Sequence, residues 1–419
     1  MDFINHLKAY LSDKEIDALL DSLNKESQHA VLLNTKKMDD ETFLSLLPNV
    51  TPHPITKHAY LYNKEEYDLG KSIYHLLGCF YLQEPSAMVP AYLLSPQEDE
   101  IVLDMCAAPG GKTIQASLLM KDTGLIIAND LSRPRCSTLV ENVERLGLGN
   151  ITVTNNDLAK ISPYYQNKFD RIILDAPCSG SGMFRKESKM KDDWSYNKVL
   201  KFQEVQKQLI LLSFDMLKEG GTLCYSTCSF SIEEDEDVIS YLLDNRKAEI
   251  IPFNHNLVYI NKQKPLGFHL LPSIFPGEGH YVCLLKKPGV LSKNNKIIKN
   301  KEFYEIKKYG DTLFGVNYPF AYKGFNIVRE GVKIGEKIKD EIKYDYHYAH
   351  YISQFENIYD LNNEELIKYL SGNVININID KGHYLLKYKG INVDIAKADG
   401  RMIKNHFPKG LRVQIKKVF

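Results

Sequence analysis

The sequence predicts an α/β protein whose central part is a doubly wound, mostly parallel sheet. Two observations carry this. Short apolar runs at 101–105, 125–129, 151–154, 171–175 and 222–226 alternate with stretches of helical periodicity at 112–121, 133–146 and 199–217. Each run is flanked by a turn, and such alternation implies βαβ units. In addition, Asp104-Met105-Cys106-Ala107-Ala108-Pro109-Gly110-Gly111-Lys112-Thr113 sets a glycine-rich turn directly after the first run, where doubly wound sheets bind ligands.

Three zones follow from the amino terminus. Residues 1–88 begin with apolar positions at helical spacing, Phe3, Leu7 and Leu11, then Ile16, Leu19, Leu20 and Leu23. A strand-like stretch at 30–33 and a proline-rich turn at 48–54 come next. Residues 89–288 hold the alternating elements and close on a strand at 281–286, after Pro276-Gly277-Glu278-Gly279. Pro288-Gly289 and the polar stretch 292–301 read as a linker into a zone of 289–419. That zone carries strand candidates at 374–379, 384–388 and 411–415 and a helix at 364–370, and the chain has no internal repeat.

No apolar run reaches the ~20 residues of a membrane span, and the amino terminus lacks a signal-peptide pattern. A cytoplasmic protein, monomeric by default, is expected. The seven cysteines include no C-x-x-C pair, so neither a disulfide framework nor a zinc knuckle is indicated, and no metal site is read from the sequence. Net charge is zero, yet from residue 291 onward 23 Lys/Arg stand against 15 Asp/Glu, leaving the rest of the chain equally acidic. The basic end suits phosphate contact, or is simply a lysine-rich solvated surface.

The end of the glycine loop, Gly111-Lys112-Thr113, is also that of a triphosphate-binding loop, but G-x-x-x-x-G-K-[ST] needs glycine at 106, where this chain has Cys106. Asp130 follows the second run and Asp157 the third. A carboxylate at the first of these places suits ribose hydroxyls, and one at the second can accept from an adenine amino group. Asp104 with Gly110, Asp130 and Asp157 therefore suggest an adenosyl ligand across the rim, its carboxylate met by the amides of 107–111. Each acid alone would serve equally well as a cap.

Two further runs each end in a cysteine on the same rim, in Asp175-Ala176-Pro177-Cys178 and in Tyr225-Ser226-Thr227-Cys228. Cys79, Cys136, Cys224 and Cys283 read as inert buried residues. A paired-thiol site fits methylation at C5 of a pyrimidine. C5 is a poor nucleophile until a thiolate adds at C6, and that thiolate must be activated because a free thiol of pKa ~8.5 is only slightly ionised at neutral pH. A group at N3 must stabilise the developing charge, which Asp175 could do if protonated or sharing a proton with the base. A base must finally remove the C5 proton. Methylation of an exocyclic amine needs none of this.

These residues resemble the Nol/Nop/Sun-type RNA cytosine-5 methyltransferases and, within them, the bacterial RsmF-like ribosomal RNA enzymes. The matching stretches are Gln83-Glu84-Pro85-Ser86-Ala87-Met88, 104–113, 175–186, 225–230, Gly277-Glu278-Gly279-His280-Tyr281 and 404–412. The resemblance implies a Rossmann-like class I S-adenosylmethionine-dependent methyltransferase domain at 89–288, an N-terminal α+β RNA-binding domain at 1–88, and a C-terminal RNA-binding region at 289–419 with a PUA-like module from about residue 365 to 419. It implies S-adenosyl-L-methionine as donor, held by Cys106, Ala107, Ala108, Pro109, Gly110, Gly111, Lys112, Asp130, Arg135, Asp157 and Asp175. By the same pattern Cys228 is the nucleophile and Cys178 assists product release. The chain departs from the pattern at Leu32-Leu33, at Ser181, at Ile232 where proline usually precedes Glu-Glu-Asn, and at His269 and Ser273, where Arg and His are expected.

The implied partner is RNA, namely 16S ribosomal RNA or the small ribosomal subunit, with transfer RNA as the alternative substrate. A non-catalytic ribosome-assembly factor is the competing class, disfavoured by the retained thiols. Phe184, Arg185 and Lys186 either contact RNA or serve as packing and solvated residues. Lys381, Lys387, Lys389, Arg401, Lys404, Lys409 and Arg412, interleaved with Tyr384, Tyr388 and Phe407, suit phosphate contact and base stacking.

Overall fold

The computed structural model describes residues 3–185, 191–292, 294 and 302–412. Two helices, Phe3–Leu7 and Asp13–Leu23, open the chain, the second fixed by a capping box between Ser12 and Glu15. Strands β1 (His29–Leu33), β2 (Thr51–Pro52), β3 (Ala59–Tyr62) and β4 (Phe80–Gln83) then form an antiparallel sheet in the order β2-β3-β1-β4.

The central sheet is built from β5 (Ile101–Asp104), β6 (Leu125–Asn129), β7 (Ile151–Thr154), β8 (Phe169–Asp175), β9 (Leu217–Thr227), β10 (Glu249–Ile251), β11 (Phe268–Leu270) and β12 (His280–Lys286). Its order is β10-β12-β9-β8-β5-β6-β7, with β11 also paired to β12. Strands β5 to β9 pair in parallel, whereas β12 runs antiparallel to β9. Side-chain alternation explains why both faces are covered. On β5, Val102 joins the core of Ile114, Leu139 and Val143, while Ile101 and Leu103 join that of Ile210, Phe214 and Val238. The chain moves outward from β5 through β6 to β7 and then crosses back to β8 on the other side, so the ends of β5 and β8 flank the switch point where such sheets bind ligands.

The third zone is more entwined with the rest than a linker followed by a separate module. Strands β13 (Glu305–Tyr309), β14 (Thr312–Val316), β16 (Val332–Ile338) and β17 (Glu341–Tyr344) make a four-stranded sheet, but β15 (Ile327–Glu330) leaves it to pair antiparallel with β7, closing that edge of the central sheet. A last sheet, ordered β18-β20-β21-β22-β19, consists of β18 (Ile358–Asp360), β19 (Ile375–Asn376), β20 (Gly382–Tyr388), β21 (Ile391–Ala398) and β22 (Met402–Ile403), with the helix Asn363–Leu370 beside it. The strand expected at 411–415 is a short 3-10 turn at Lys409–Leu411, and its residues 413–415 lie outside those described. The two ends of the chain share one core: Val31, Phe43, Tyr60 and Leu77 pack with Tyr369, Leu386, Tyr388 and Phe407. Among the described residues no helix is long and apolar enough to cross a membrane.

Candidate active site

The parallel register of β8 and β9 sets Asp175 beside Ser226. Both chains leave the sheet at that level, and a few residues on, the Sγ atoms of Cys178 and Cys228 lie 3.2 Å apart. The loop after Cys178 turns over this pair. Gly182 donates its amide to the Cys228 carbonyl at 2.7 Å, and a Cβ on Gly182 would stand 2.8 Å from the carbonyls of Cys228 and Gly279, an approach only glycine permits.

A buried carboxylate fastens the two loops together. Glu234 accepts from the Ser179 amide at 2.7 Å, the Ser179 hydroxyl at 2.5 Å, the Ser229 hydroxyl at 2.6 Å and Gln206 Nε2 at 3.2 Å. Ser179 and Ser229 each follow a site cysteine, so one side chain sets the spacing of both sulfurs. Burial raises the pKa of Glu234 against these donors. The neighbouring Cys228 sulfur, and after it burial, push the Cys178 thiol well up, so Cys178 keeps its proton.

Asp175 stands on the other side. Lys112 Nζ donates to its Oδ2 at 2.7 Å and Ser226 to its Oδ1 at 2.7 Å, while His280 Nε2 lies 3.8 Å from Oδ1. Burial opposes the charge on this carboxylate, but the Lys112 ammonium and then His280 outweigh it and hold the pKa below the usual value. That favours the ionised form of Asp175, in which it can act at N3 by sharing a proton with the base. Behind it, Ser86 Oγ lies 3.1 Å from His280 Nδ1 and donates to Glu84 at 2.6 Å. Burial lowers the His280 pKa.

The glycine loop follows β5. Gly110, at φ +115°, is the N-cap of the helix Gly111–Leu119 and takes the positive φ that L side chains rarely adopt. The amide of Ala107 donates to Asn129 at the end of β6, and that of Ala108 to Asp130 Oδ2 at 3.3 Å. Ser132 donates to Asp130 Oδ1 at 2.8 Å, and Arg135 bridges Asp130 and the Ala108 carbonyl. Beneath the loop Thr113 donates to Asp104 at 2.6 Å, and burial lifts the Asp104 pKa to about 7.

Most of the expected residues thus line one rim. Cys106 to Gly111, Asp130 and Arg135 form a connected loop-and-acid unit. Lys112, a candidate for ligand contact, is buried and committed to Asp175. Asp157 caps the short helix Leu158–Ile161 through Ala159. Phe184 is buried against Phe3, and Arg185 is held by Glu278 at 2.8 Å and by the carbonyls of Gly277 and Ser22, so packing is the role the structure gives both. Lys186 lies outside the described residues. The functions of Glu84, Ser86, Glu234 and His280 escaped sequence reasoning. Three of them stood in stretches noted for resemblance, but only the fold shows what they touch.

Comparison with known proteins agrees with this architecture. Residues 91–286 match the family described as 16S rRNA methyltransferase RsmB/F, residues 1–85 the N-terminal domain of 16S rRNA methyltransferase RsmF, and residues 356–413 the methyltransferase RsmF PUA domain. The chain is 31% identical, across 98% of its length and 96% of the relative's, to a protein of Shewanella piezotolerans named ribosomal RNA small subunit methyltransferase F. The protein of that name in Shewanella oneidensis is 30% identical over the same shares. A methyltransferase homolog from Pyrococcus horikoshii superposes with a TM-score of 0.61 at 28% identity, covering 68% of this chain and 93% of that one. NSun6 from Pyrococcus horikoshii, at 20% identity and a TM-score of 0.63 over 68% of this chain and 97% of its own, shares the fold.

Proposed function

This chain belongs to the RsmF family of ribosomal RNA methyltransferases, and from that premise we propose that it methylates C5 of a cytosine in 16S ribosomal RNA, with S-adenosyl-L-methionine as donor and Cys228 as nucleophile. The observation that carries the reading is the pair of sulfurs 3.2 Å apart beside an ionised Asp175, on the rim that also bears the glycine loop.

The residues present fit the donor. Asp130 is a fully buried carboxylate at the end of β6, braced by the loop it faces, and suits ribose hydroxyls. The amides at the start of the helix Gly111–Leu119 suit an amino-acid carboxylate. When bound, the donor supplies an electrophilic methyl group.

The chain's own part begins with the Cys228 thiolate forming a bond to C6 of an unpaired or flipped-out cytosine. The Lys112 ammonium lies within electrostatic reach of the Cys228 sulfur. Asp175, fixed between Lys112 and Ser226, faces N3 and stabilises its protonated form, with Lys112 as the adjoining proton store. C5, made electron-rich, takes the methyl group. The C5 proton then passes to a water molecule, the C5–C6 double bond re-forms and Cys228 leaves as a thiolate. Cys178, a protonated thiol 3.2 Å from that sulfur, assists by donating a hydrogen bond to the leaving thiolate.

The test is a pair of substitutions. Cys228→Ser should abolish methyl transfer, and Cys178→Ser should accumulate a covalent protein–RNA adduct seen as a shifted band on denaturing gels. An adduct that survives Cys228→Ser and disappears with Cys178→Ser would reverse the two roles. Bisulfite sequencing of ribosomal and transfer RNA from cells with and without the gene identifies the target, and a change confined to transfer RNA would overturn the 16S assignment.

A further inference from the structure

Beyond Cys228 the chain buries charges that methyl transfer does not use. Asp235, Glu236 and His269 are each at most 1% exposed, and each offers a ligand atom such that all three lie within 4.8 Å of one another. They come from two segments: Asp235 and Glu236 are the N-cap and first residue of the helix Glu236–Asn245, and His269 lies on β11. Some of their atoms are satisfied. Thr227 donates to Asp235 Oδ1 at 2.5 Å, Asn261 donates to Glu236 Oε1 at 3.2 Å, and His269 Nε2 lies 2.9 Å from that same oxygen. Asp235 Oδ2, Glu236 Oε2 and His269 Nδ1 have no hydrogen-bond partner.

Two adjacent carboxylates withdrawn from water cost several kcal/mol each unless a cation accompanies them. Among the described residues no lysine or arginine nitrogen lies within ion-pair distance of either, and His269 is their sole basic neighbour.

We infer that Asp235, Glu236 and His269 form a structural site for a divalent transition metal, with Zn2+ as the ion their donors best suit. One imidazole nitrogen and two carboxylate oxygens make a mixed set that Zn2+ accepts, with a water molecule as the fourth ligand, whereas Ca2+ and Mg2+ prefer all-oxygen shells. The bound ion would tie β11 to the helix start at Asp235, which accepts from Thr227 at the end of β9, and so steady the residue before Cys228. The site does not depend on the catalytic reading, and its test uses metal content rather than methylation.

The full chain is stripped with a chelator under native conditions, given Zn2+ alone, desalted, and assayed by mass spectrometry for metal and by X-ray absorption for the ligand shell. About one ion per chain is expected, with nitrogen and oxygen neighbours and no sulfur. It should be retained in the Cys178→Ser/Cys228→Ser double variant and lost in Asp235→Asn and His269→Gln. A folded wild-type chain that retains no metal, because the buried charge is settled by a proton instead, overturns the inference. So does an ion that departs with the cysteines. Should Asp235→Asn or His269→Gln fail to fold, the wild-type ligand shell still decides, since sulfur neighbours would place the ion elsewhere.

Discussion

Glu234 makes the most exacting test of how the site is held. The carboxylate is fully buried and accepts three bonds of 2.7 Å or less, from the Ser179 amide and the Ser179 and Ser229 hydroxyls. In Glu234→Ala the two hydroxyls, already 3.4 Å apart, can turn to each other. The Ser179 amide is left as a buried orphan, worth about 1–3 kcal/mol, and the emptied volume adds about 1–2 kcal/mol. Relief of the buried charge offsets part of this, so the expected loss of stability is about 3 kcal/mol. Glu234→Gln keeps the shape and one acceptor oxygen, and a serine hydroxyl can rotate to accept from the new amide, so about 1 kcal/mol is expected. Activity should fall further than stability alone explains, because an error of ~1 Å in placing a reacting group can cost ~100-fold. The assays are urea unfolding followed by circular dichroism and transfer of labelled methyl groups to unmodified 16S RNA. Wild-type turnover in Glu234→Ala, or equal damage from Gln and Ala, would refute the idea that this side chain spaces the two sulfurs.

Two further substitutions probe the surroundings. Asp104 holds its proton to about pH 7 when folded, against an ordinary 3.8, so the stability gained from its protonated form is complete below 3.8 and drains away as pH rises through 7. Asp104→Asn should remove that slope, improving its stability relative to wild type by about 2–3 kcal/mol between about pH 5 and about pH 8 in urea melts, and parallel wild-type and variant curves would disprove it. Arg185→Met breaks a buried pair with Glu278 that also anchors the carbonyls of Gly277 and Ser22, and should cost about 3–5 kcal/mol. A variant with unchanged unfolding but weaker, less salt-sensitive RNA binding would show instead that Arg185 is a phosphate contact.

What the sequence made legible depends on the range over which each signal acts. The central strands could be read because a doubly covered parallel sheet requires apolar runs, and the helix at Arg133–Leu146 could be read from its own periodicity. The sheet around β13 and β14 escaped notice because its strands are short, half exposed and lysine-rich, as in Glu305–Tyr309, and resemble a solvated surface. Nothing local in Ile327–Glu330 reveals that it completes the central sheet, since its partner β7 lies far back in the chain. The rim acids were visible because each follows a strand. The side chain that fixes both cysteine loops, Glu234, stands in a run of five acids, 233–237, that from sequence alone looks like a solvated helix start.

The two cysteines show most clearly why the remainder needed three dimensions. In sequence they are nearly equivalent, each a short step past a strand, and no spacing rule distinguishes an attacking thiolate from a protonated helper. The fold breaks the symmetry through charges brought from elsewhere. Lys112 comes from the glycine loop and acts on the Cys228 sulfur, while the Glu234 carboxylate adds to the charges that raise the Cys178 pKa. Those surroundings keep a thiol at Cys178, the helper in the proposed reaction. The lysine that makes the loop look like a phosphate cradle is itself buried and spends its ammonium on Asp175, 2.7 Å away.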